Sequence, residues 1–170
     1  MSRVLDWEIT GSYQWTAGAV YGHFLGGLKE EKIFGVRCES CSTVYCPPGD
    51  VCPQCFTDMA EQTWLELEQE GQVVSFTKVM ENFFGERPSD EYLAGRIKPT
   101  DYSDHPLIWP PGVPYAMALI RMKGADTAFL HLVREEEDLK KLRIGAKVRP
   151  VWKQERSGYL LDIDQFQIIG

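Results

Sequence analysis

The stretch that decides the fold is VRCESCSTVYCPPGDVCPQCF, residues 36–56, because it contains two Cys-x-x-Cys pairs. The first pair is Cys38 and Cys41, the second is Cys52 and Cys55, and ten residues separate the two pairs. Four thiolates presented by two tight turns fill the tetrahedral coordination of one metal ion and leave no position for water or substrate. The stretch therefore predicts a closed structural metal site, and any chemistry must be sought elsewhere.

Sulfur ligation suits zinc or a single iron. We expect a structural Zn²⁺. The alternative is one iron in a rubredoxin-like site, which would make the protein an electron carrier. A glycine usually follows the second cysteine of such a turn, where a positive φ is common, but here Ser42 and Phe56 hold those places. Cys46 is a fifth thiol that could compete as a ligand, although a small buried apolar residue is the favoured interpretation.

Size and composition indicate an ordinary globular protein. The chain has 170 residues, of which 44% are hydrophobic and 25% are charged. That length fits one domain, or a small metal module followed by a domain of roughly 100 residues. No apolar run approaches the roughly 20 residues that span a bilayer, and no secretory signal is visible at the N-terminus. We predict a cytoplasmic protein, where paired cysteines are more often metal ligands than disulfides.

The net charge of −7 is concentrated in the first half of the chain. Residues 1–70 carry four Lys/Arg and eleven Asp/Glu, whereas residues 71–170 carry fourteen of each. An acidic protein is a poor binder of the phosphate backbone, because that affinity comes from cations that neutralise phosphates. Single-stranded nucleic-acid binding by aromatic stacking on a small barrel stays as an alternative function that the charge disfavours.

The chain divides into three predicted parts: an N-terminal arm and helix at 1–32, a zinc ribbon at 33–60 and an OB-fold domain at 61–170. The helix has Thr16 as a candidate N-cap. Its apolar residues at helical spacing are Tyr21, Phe24, Leu25 and Leu28. Gly22, Gly26 and Gly27 weaken this helix. It must therefore be held either by the chain's own core or by another subunit, which Gly22 and Gly26 would allow to approach closely.

Strand patterns dominate after residue 63. Alternating or β-branched segments occupy 64–69, 73–79, 115–122, 127–133, 147–153 and 160–169. Glycine-marked corners and one long loop fit a five-stranded Greek-key barrel of the OB type. The predicted fold class is therefore mainly β with an N-terminal helix, a rubredoxin-like ribbon and then an OB-fold barrel. The loop, roughly 83–114, is rich in proline and aromatic residues, and loops of this length are usually functional.

Candidate catalytic residues are few, and we predict none. His131 lies in an apolar strand pattern and reads as a satisfied core residue. His23 lies on the glycine-rich helix, and His105 lies in the proline-rich loop. A Cys46–His105 nucleophile pair is conceivable, but no spacing supports it. No serine-hydrolase elbow, zinc-protease motif or phosphate-binding loop is present.

A basic stretch runs from Lys140 to Arg156. Ordinary strand charges that face solvent are one interpretation. The other is a patch for a phosphorylated ligand such as coenzyme A, and Lys147, Arg149 and Lys153 are its candidates, since equal parity puts them on one face of an unbroken strand.

The order of these parts resembles a known family. Tyr13, Trp15 and Gly18 open the helix, and Phe24 to Lys29 continue it. The ribbon has Pro47 and Pro48 between its turns. The remaining motif residues are Trp64, Leu67, Gly71, Val73, Ile144, Gly145, Val148 and Trp152. From about Tyr13 to Ile169 this resembles the acyl-CoA-associated zinc-ribbon and OB-fold proteins catalogued as domain of unknown function thirty-five.

The resemblance implies a non-catalytic companion of thiolase-fold enzymes. Cys38, Cys41, Cys52 and Cys55 match the family's metal ligands. The implied assembly is a hetero-oligomer in which a thiolase-fold partner supplies the catalytic groups and this chain shapes the complex, with coenzyme A contact by this chain left open. Trp15, Tyr21, Phe24 and Leu25 are the candidate partner-binding residues. The loop 83–114 is longer than the family pattern and would serve either as a lid over a bulky acyl group or as an arm on the partner.

Overall fold

The structure, a computed structural model, describes residues 16–80 and 114–170. The elements in chain order are α1 (Ala19–Lys29), β1 (Phe34–Arg37), β2 (Val44–Tyr45), β3 (Thr63–Glu66), β4 (Gly71–Val79), β5 (Tyr115–Met122), β6 (Phe129–Val133), α2 (Glu136–Lys141), β7 (Lys147–Trp152), a 3₁₀ turn (Leu160–Asp162) and β8 (Ile163–Ile168). None of the helices in these two segments is long and apolar enough to cross a bilayer. Of the loop 83–114, only its last residue, Pro114, is among the described residues.

Two antiparallel sheets carry the fold. A three-stranded sheet has the order β2-β1-β3, and a five-stranded sheet has the order β6-β5-β4-β7-β8. The predicted class, mainly β with an N-terminal helix, a ribbon and a five-stranded sheet, is confirmed. One strand differs in its partner: β3 pairs with β1, with Val36 opposite Trp64, and so belongs to the sheet of the ribbon.

The five-stranded sheet is not a closed barrel, which corrects the barrel prediction. Within the described residues no backbone ladder joins its edge strands β6 and β8. Side chains connect this edge instead. Gln165 Oε1 accepts a hydrogen bond from the Arg134 amide at 3.1 Å, Gln165 Nε2 donates to Glu135 at 3.0 Å, and Arg134 forms an ion pair with Asp164. In the described residues, polar side chains therefore connect this edge in place of a closing backbone ladder.

Helix α1 takes its N-terminal cap from the ribbon, not from Thr16 as predicted. Gly18 precedes the helix with φ of 73° and supplies no side-chain cap. The Asp50 carboxylate, between the two cysteine pairs, accepts a hydrogen bond from the Val20 amide at 3.3 Å. A carboxylate at this end also interacts favourably with the helix dipole. The correction has a physical reason: the N-cap position is Gly18, two residues beyond Thr16, and the helix begins at Ala19.

The same helix is packed against the chain's own core. Phe24 and Leu28 are fully buried with residues of the five-stranded sheet, while Val20 belongs to a smaller cluster inside the ribbon. Gly27 is required by close packing, because a Cβ there would overlap the Phe34 ring. A Cβ at Gly26 would meet nothing within 4 Å. Of the two sequence-based alternatives, the chain's own core is therefore the one that holds the helix.

Two reciprocal pairs of hydrogen bonds, each using a side chain of the β5–β6 turn, fix the ribbon on the five-stranded sheet. Val44 donates its amide to Asp126 Oδ2 at 2.8 Å, and the Asp126 amide donates to the Val44 carbonyl at 2.9 Å. The Cys46 amide donates to Thr127 Oγ1 at 2.8 Å, and that hydroxyl donates to the Cys46 carbonyl at 3.1 Å. The β5–β6 turn thus contacts β2 and the residue after it, and these hydrogen bonds connect the two separate sheets.

We expect Asp50→Ala to lower the free energy of unfolding by about 1 kcal/mol, because α1 loses both its only described N-terminal cap and a favourable charge at that end. Chemical denaturation measures the change. Asp50→Asn should lose less, since its amide oxygen still accepts from Val20. Glu61→Ala, an exposed carboxylate of the same region, is the control and should stay within about 0.5 kcal/mol of the parent. An Asp50→Ala protein as stable as the parent would contradict the cap.

Candidate functional site

The four predicted ligands meet in one cluster. The sulfurs of Cys38, Cys41, Cys52 and Cys55 all lie within 4.8 Å of one another. The Sγ–Sγ distances are 3.4 Å for Cys38–Cys55, 3.7 Å for Cys41–Cys52 and 3.4 Å for Cys52–Cys55. A tetrahedron with metal–sulfur bonds of about 2.3 Å has edges of about 3.8 Å. The donor set and its spacing therefore fit a tetrathiolate metal site.

Each cysteine pair sits in a turn closed by backbone hydrogen bonds. The Cys38 amide donates to the Thr43 carbonyl at 3.0 Å, and the Cys52 amide donates to the Thr57 carbonyl at 2.9 Å. A second hydrogen bond in each turn goes to the carbonyl of its first cysteine. The Ser42 amide donates to the Cys38 carbonyl at 2.7 Å, and the Phe56 amide donates to the Cys52 carbonyl at 2.9 Å. The two turns are thus equivalent halves of one site.

Both halves adopt the backbone expected of a glycine without having one. Ser42 has φ of 61° and Phe56 has φ of 59°. This left-handed conformation costs an L-residue about 1–2 kcal/mol. Ser42 and Phe56, the unusual residues noted in the sequence, therefore adopt the turn that glycine would adopt, at this cost.

Side chains join the two halves in a reciprocal way that the sequence analysis missed. Ser40 Oγ lies 3.1 Å from Thr57 Oγ1, and Thr43 Oγ1 donates to Gln54 Oε1 at 3.2 Å. In each contact the residue before the second cysteine of one turn meets the threonine of the other. A sequence signal was available, since Cys-x-x-Cys-x-Thr occurs twice, at 38–43 and 52–57.

The buried surroundings give the sulfurs different acidities. Burial works to raise the pKa of Cys52, but the Tyr45 hydroxyl at 3.4 Å and the amides of Cys55 and Gln54 lower it to about 6. For Cys38, burial prevails and raises the pKa to about 11. A metal ion must therefore displace a proton from at least one of these thiols, which couples metal binding to pH.

Cys46 is separate from this cluster. Its side chain is 1% exposed and packs in the core of the five-stranded sheet, and burial raises the pKa of its thiol to about 12. Only the other four cysteines form the described metal-binding group. The structure thus places Cys46 as a small apolar core residue.

The two histidines in the described segments, His23 and His131, pack against other residues of this chain. His131 is 3% exposed; its Nδ1 accepts from the Leu132 amide at 2.8 Å, and its Nε2 lies 3.3 Å from the Leu160 carbonyl. These partners select the neutral ring with the proton on Nε2, and burial lowers its pKa to about 4. His23 packs against Trp64 with ring centroids 4.2 Å apart. His105 lies outside the described residues, so the structure does not describe the Cys46–His105 pair.

The basic stretch is interrupted, which corrects the parity argument. A bulge between Val151 and Trp152 breaks the register of β7 with β8, so Lys153 does not follow the alternation that Lys147 and Arg149 share. Lys147 pairs with Glu70 at 3.3 Å, and Arg149 faces the Gln167 amide on β8. Lys147 and Arg149 are exposed on one face, as predicted, whereas Lys153 lies beyond the irregularity.

The end of the stretch is structural. Arg156 donates to the Lys29 carbonyl at 3.1 Å and pairs with Glu31 at 2.9 Å, at the C-terminal end of α1. Asp162, 3% exposed, organises the preceding loop by accepting from the amides of Ser157, Gly158 and Tyr159 at 2.7–3.1 Å. Arg156 and this loop fasten the helix to the sheet.

The four candidate partner-binding residues differ in how far they are buried in the chain's own core. Phe24 is 0% exposed and lies in the chain's own core, which withdraws it from a contact surface in this conformation. Tyr21 and Leu25 are partly buried against the same core. Trp15 lies outside the described residues.

Comparisons with known proteins agree with this geometry. A family model described as "ChsH2, rubredoxin-like zinc ribbon domain" matches residues 26–60. None of the curated proteins matches the chain. A DUF35-family protein of unknown function from Sulfolobus solfataricus has a similar structure, with a TM-score of 0.54, 22% identity and coverage of 79% of this chain and 78% of that one.

A second similar structure is described as the Ltp2-ChsH2(DUF35) aldolase. Its TM-score is 0.53 at 18% identity, and the match covers 91% of this chain and 95% of that chain. These findings confirm the resemblance stated from the sequence for the ribbon and for the fold. They also support a structural metal in the four-cysteine cluster.

We expect Tyr45→Phe to weaken metal retention about tenfold, because Cys52 loses the hydroxyl hydrogen bond that stabilises its thiolate. Competition with a chromophoric chelator measures the affinity. Tyr115→Phe is the control, since Tyr115 is a buried tyrosine of the five-stranded sheet, and it should leave the affinity unchanged. Equal metal affinity in Tyr45→Phe and the parent would show that the hydroxyl has no part in holding the ion.

Proposed function

We propose that this chain is a non-catalytic accessory subunit of a thiolase-like complex that acts on an acyl-CoA. The observation that carries the proposal is the extent of the fold match with a chain of the Ltp2-ChsH2(DUF35) aldolase, which covers nearly all of both chains. The ribbon match to a ChsH2-type model supports the same assignment. The partner in the proposed complex is a thiolase-fold subunit.

The division of labour follows from the site. Four sulfurs at tetrahedral spacing would hold Zn²⁺ closed to substrate, so the ion supplies cross-linking between the two turns. His131 is neutral and buried, and its ring nitrogens contact backbone groups. We therefore assign bond-making and bond-breaking to the partner, and a stabilising role to this chain. Reduced thiols of this kind persist in the cytoplasm, which we propose as the compartment.

Contact with the coenzyme A thioester is the finer part of the proposal. Lys147 and Arg149 project from the same exposed face of β7. Arginine and lysine are the side chains that recognise phosphate oxygens. We assign to these two residues the contact with the phosphates of an acyl-CoA, with an aromatic acyl group as the first class to examine.

The complex itself is tested by co-expression of this chain with a thiolase-fold protein from the same genome, beginning with any that is encoded beside it. We expect the two to co-purify at a fixed ratio, with one zinc per accessory chain by elemental analysis. Thioester turnover is expected only when both are present. One iron per chain, with the colour of a ferric tetrathiolate, would instead favour the electron carrier. Turnover by this chain alone, or a monomer that ignores the thiolase, would refute the accessory role.

The phosphate contact predicts a change in substrate affinity. In the complex, Lys147→Ala with Arg149→Ala should raise the KM for the acyl-CoA about tenfold and leave kcat unchanged, because binding to the remote phosphates is equal in ground state and transition state. Steady-state kinetics at low ionic strength measures both constants. Lys141→Ala, which removes an exposed cation of α2, is the control. An unchanged KM in the double variant would remove these residues from the substrate site.

A further inference from the structure

The second turn of the metal site exposes an aromatic side chain. Phe56 is 81% exposed, more than any other large apolar residue in the described part of the chain, and Val51 in the same turn is 53% exposed. Val51 forms an isolated bridge with Asp58, which encloses the Cys52–Cys55 turn between them. We call Val51 and Phe56 the knuckle patch.

Phe56 holds this exposed position in a backbone conformation that favours glycine. Its φ of 59° is matched by that of Ser42 in the first turn, at 61°. The two sites have the same backbone and the same hydrogen bond to the first cysteine. They differ in the side chain, since the first turn presents a hydroxyl and the second presents a benzyl group. The exposed ring therefore adds nothing to the turn that serine does not also supply.

The net negative charge of the ribbon, which carries the knuckle patch, limits what can cover it. Residues 33–60 contain one cation, Arg37, and three anions, Glu39, Asp50 and Asp58. Four thiolates around a divalent ion add a further net charge of about −2. Nucleic acids and anionic lipid surfaces are repelled by such a surface. A complementary occupant is a protein surface that offers an apolar pocket with a rim of lysine or arginine.

We propose that the knuckle patch anchors this chain to its partner subunit, with Phe56 inserted in an apolar pocket whose rim is basic. The proposal rests on the proposed function, which supplies the thiolase-fold partner. Aromatic side chains at the centre of an interface commonly carry most of the binding energy, and acidic side chains around them steer the encounter. In the complex, Phe56 gains a burial that the isolated chain does not provide.

A pair of glycine substitutions tests the anchor. Phe56→Gly removes the ring and relaxes the backbone, while Ser42→Gly relaxes the equivalent backbone and leaves the ring in place. Both should keep one metal ion per chain and unfold at no lower temperature than the parent. Affinity for the thiolase-fold protein of the co-expression test should fall about tenfold or more in Phe56→Gly and stay within about twofold in Ser42→Gly. Isothermal titration calorimetry at low and high salt measures both.

Two further measurements make every outcome decisive. Ile144→Ser removes an apolar side chain that is 69% exposed outside the ribbon and should leave affinity unchanged. Higher salt should weaken the parent complex, because it screens the attraction between the acidic ribbon and a basic rim on the partner. If the parent binds and Phe56→Gly binds equally well, the anchor is refuted and the accessory role stands. If the parent does not bind, both are refuted. Self-association lost in Phe56→Gly would assign the patch to a second copy and overturn the proposed occupant.

Discussion

Four sulfurs held within 4.8 Å of one another are the constraint on which the structure depends. Two of their parent residues, Cys38 and Cys52, are fully buried. Buried thiolates this close repel one another unless a cation compensates their charge. The ribbon has a small core of its own: Val20, Val36, Cys38, Tyr45, Cys52 and Met59. A core of that size holds little structure without a metal or a comparable cross-link.

The metal site extends its influence through the segment between its two turns. Tyr45 in this segment contacts a ligand sulfur, and its neighbours Val44 and Cys46 hydrogen-bond the β5–β6 turn. Asp50, a few residues further, caps α1. Fixing the two turns therefore fixes the helix start and one edge of the five-stranded sheet together. Helix α1 continues the connection, because it contributes Val20 to the core of the ribbon and Phe24 to the main core.

The sequence predicts what local chemistry determines. The cysteine spacing identifies the ligands, and alternating patterns locate strands 115–122 and 147–153 to within a residue or two of β5 and β7. Contacts between distant residues were not predictable in this way. The cap on Val20 comes from thirty residues away, the bulge in β7 depends on its register with β8, and Gln165 bridges to Arg134 across the open edge of the sheet. A single sequence contains no local signal for any of these pairings.

Two features lower the stability of the isolated chain without a visible return inside it. Gly26 sits mid-helix, where alanine would be favoured by about 1 kcal/mol, and its Cβ position is open. Phe56 keeps an exposed ring on a strained backbone. Selection for stability alone would favour alanine at position 26 and glycine at position 56. Their presence is consistent with a chain whose working surface is completed by another subunit. The four-cysteine site is compatible with the proposed accessory role, because a tetrathiolate would cross-link the two turns and leave no open coordination position for substrate.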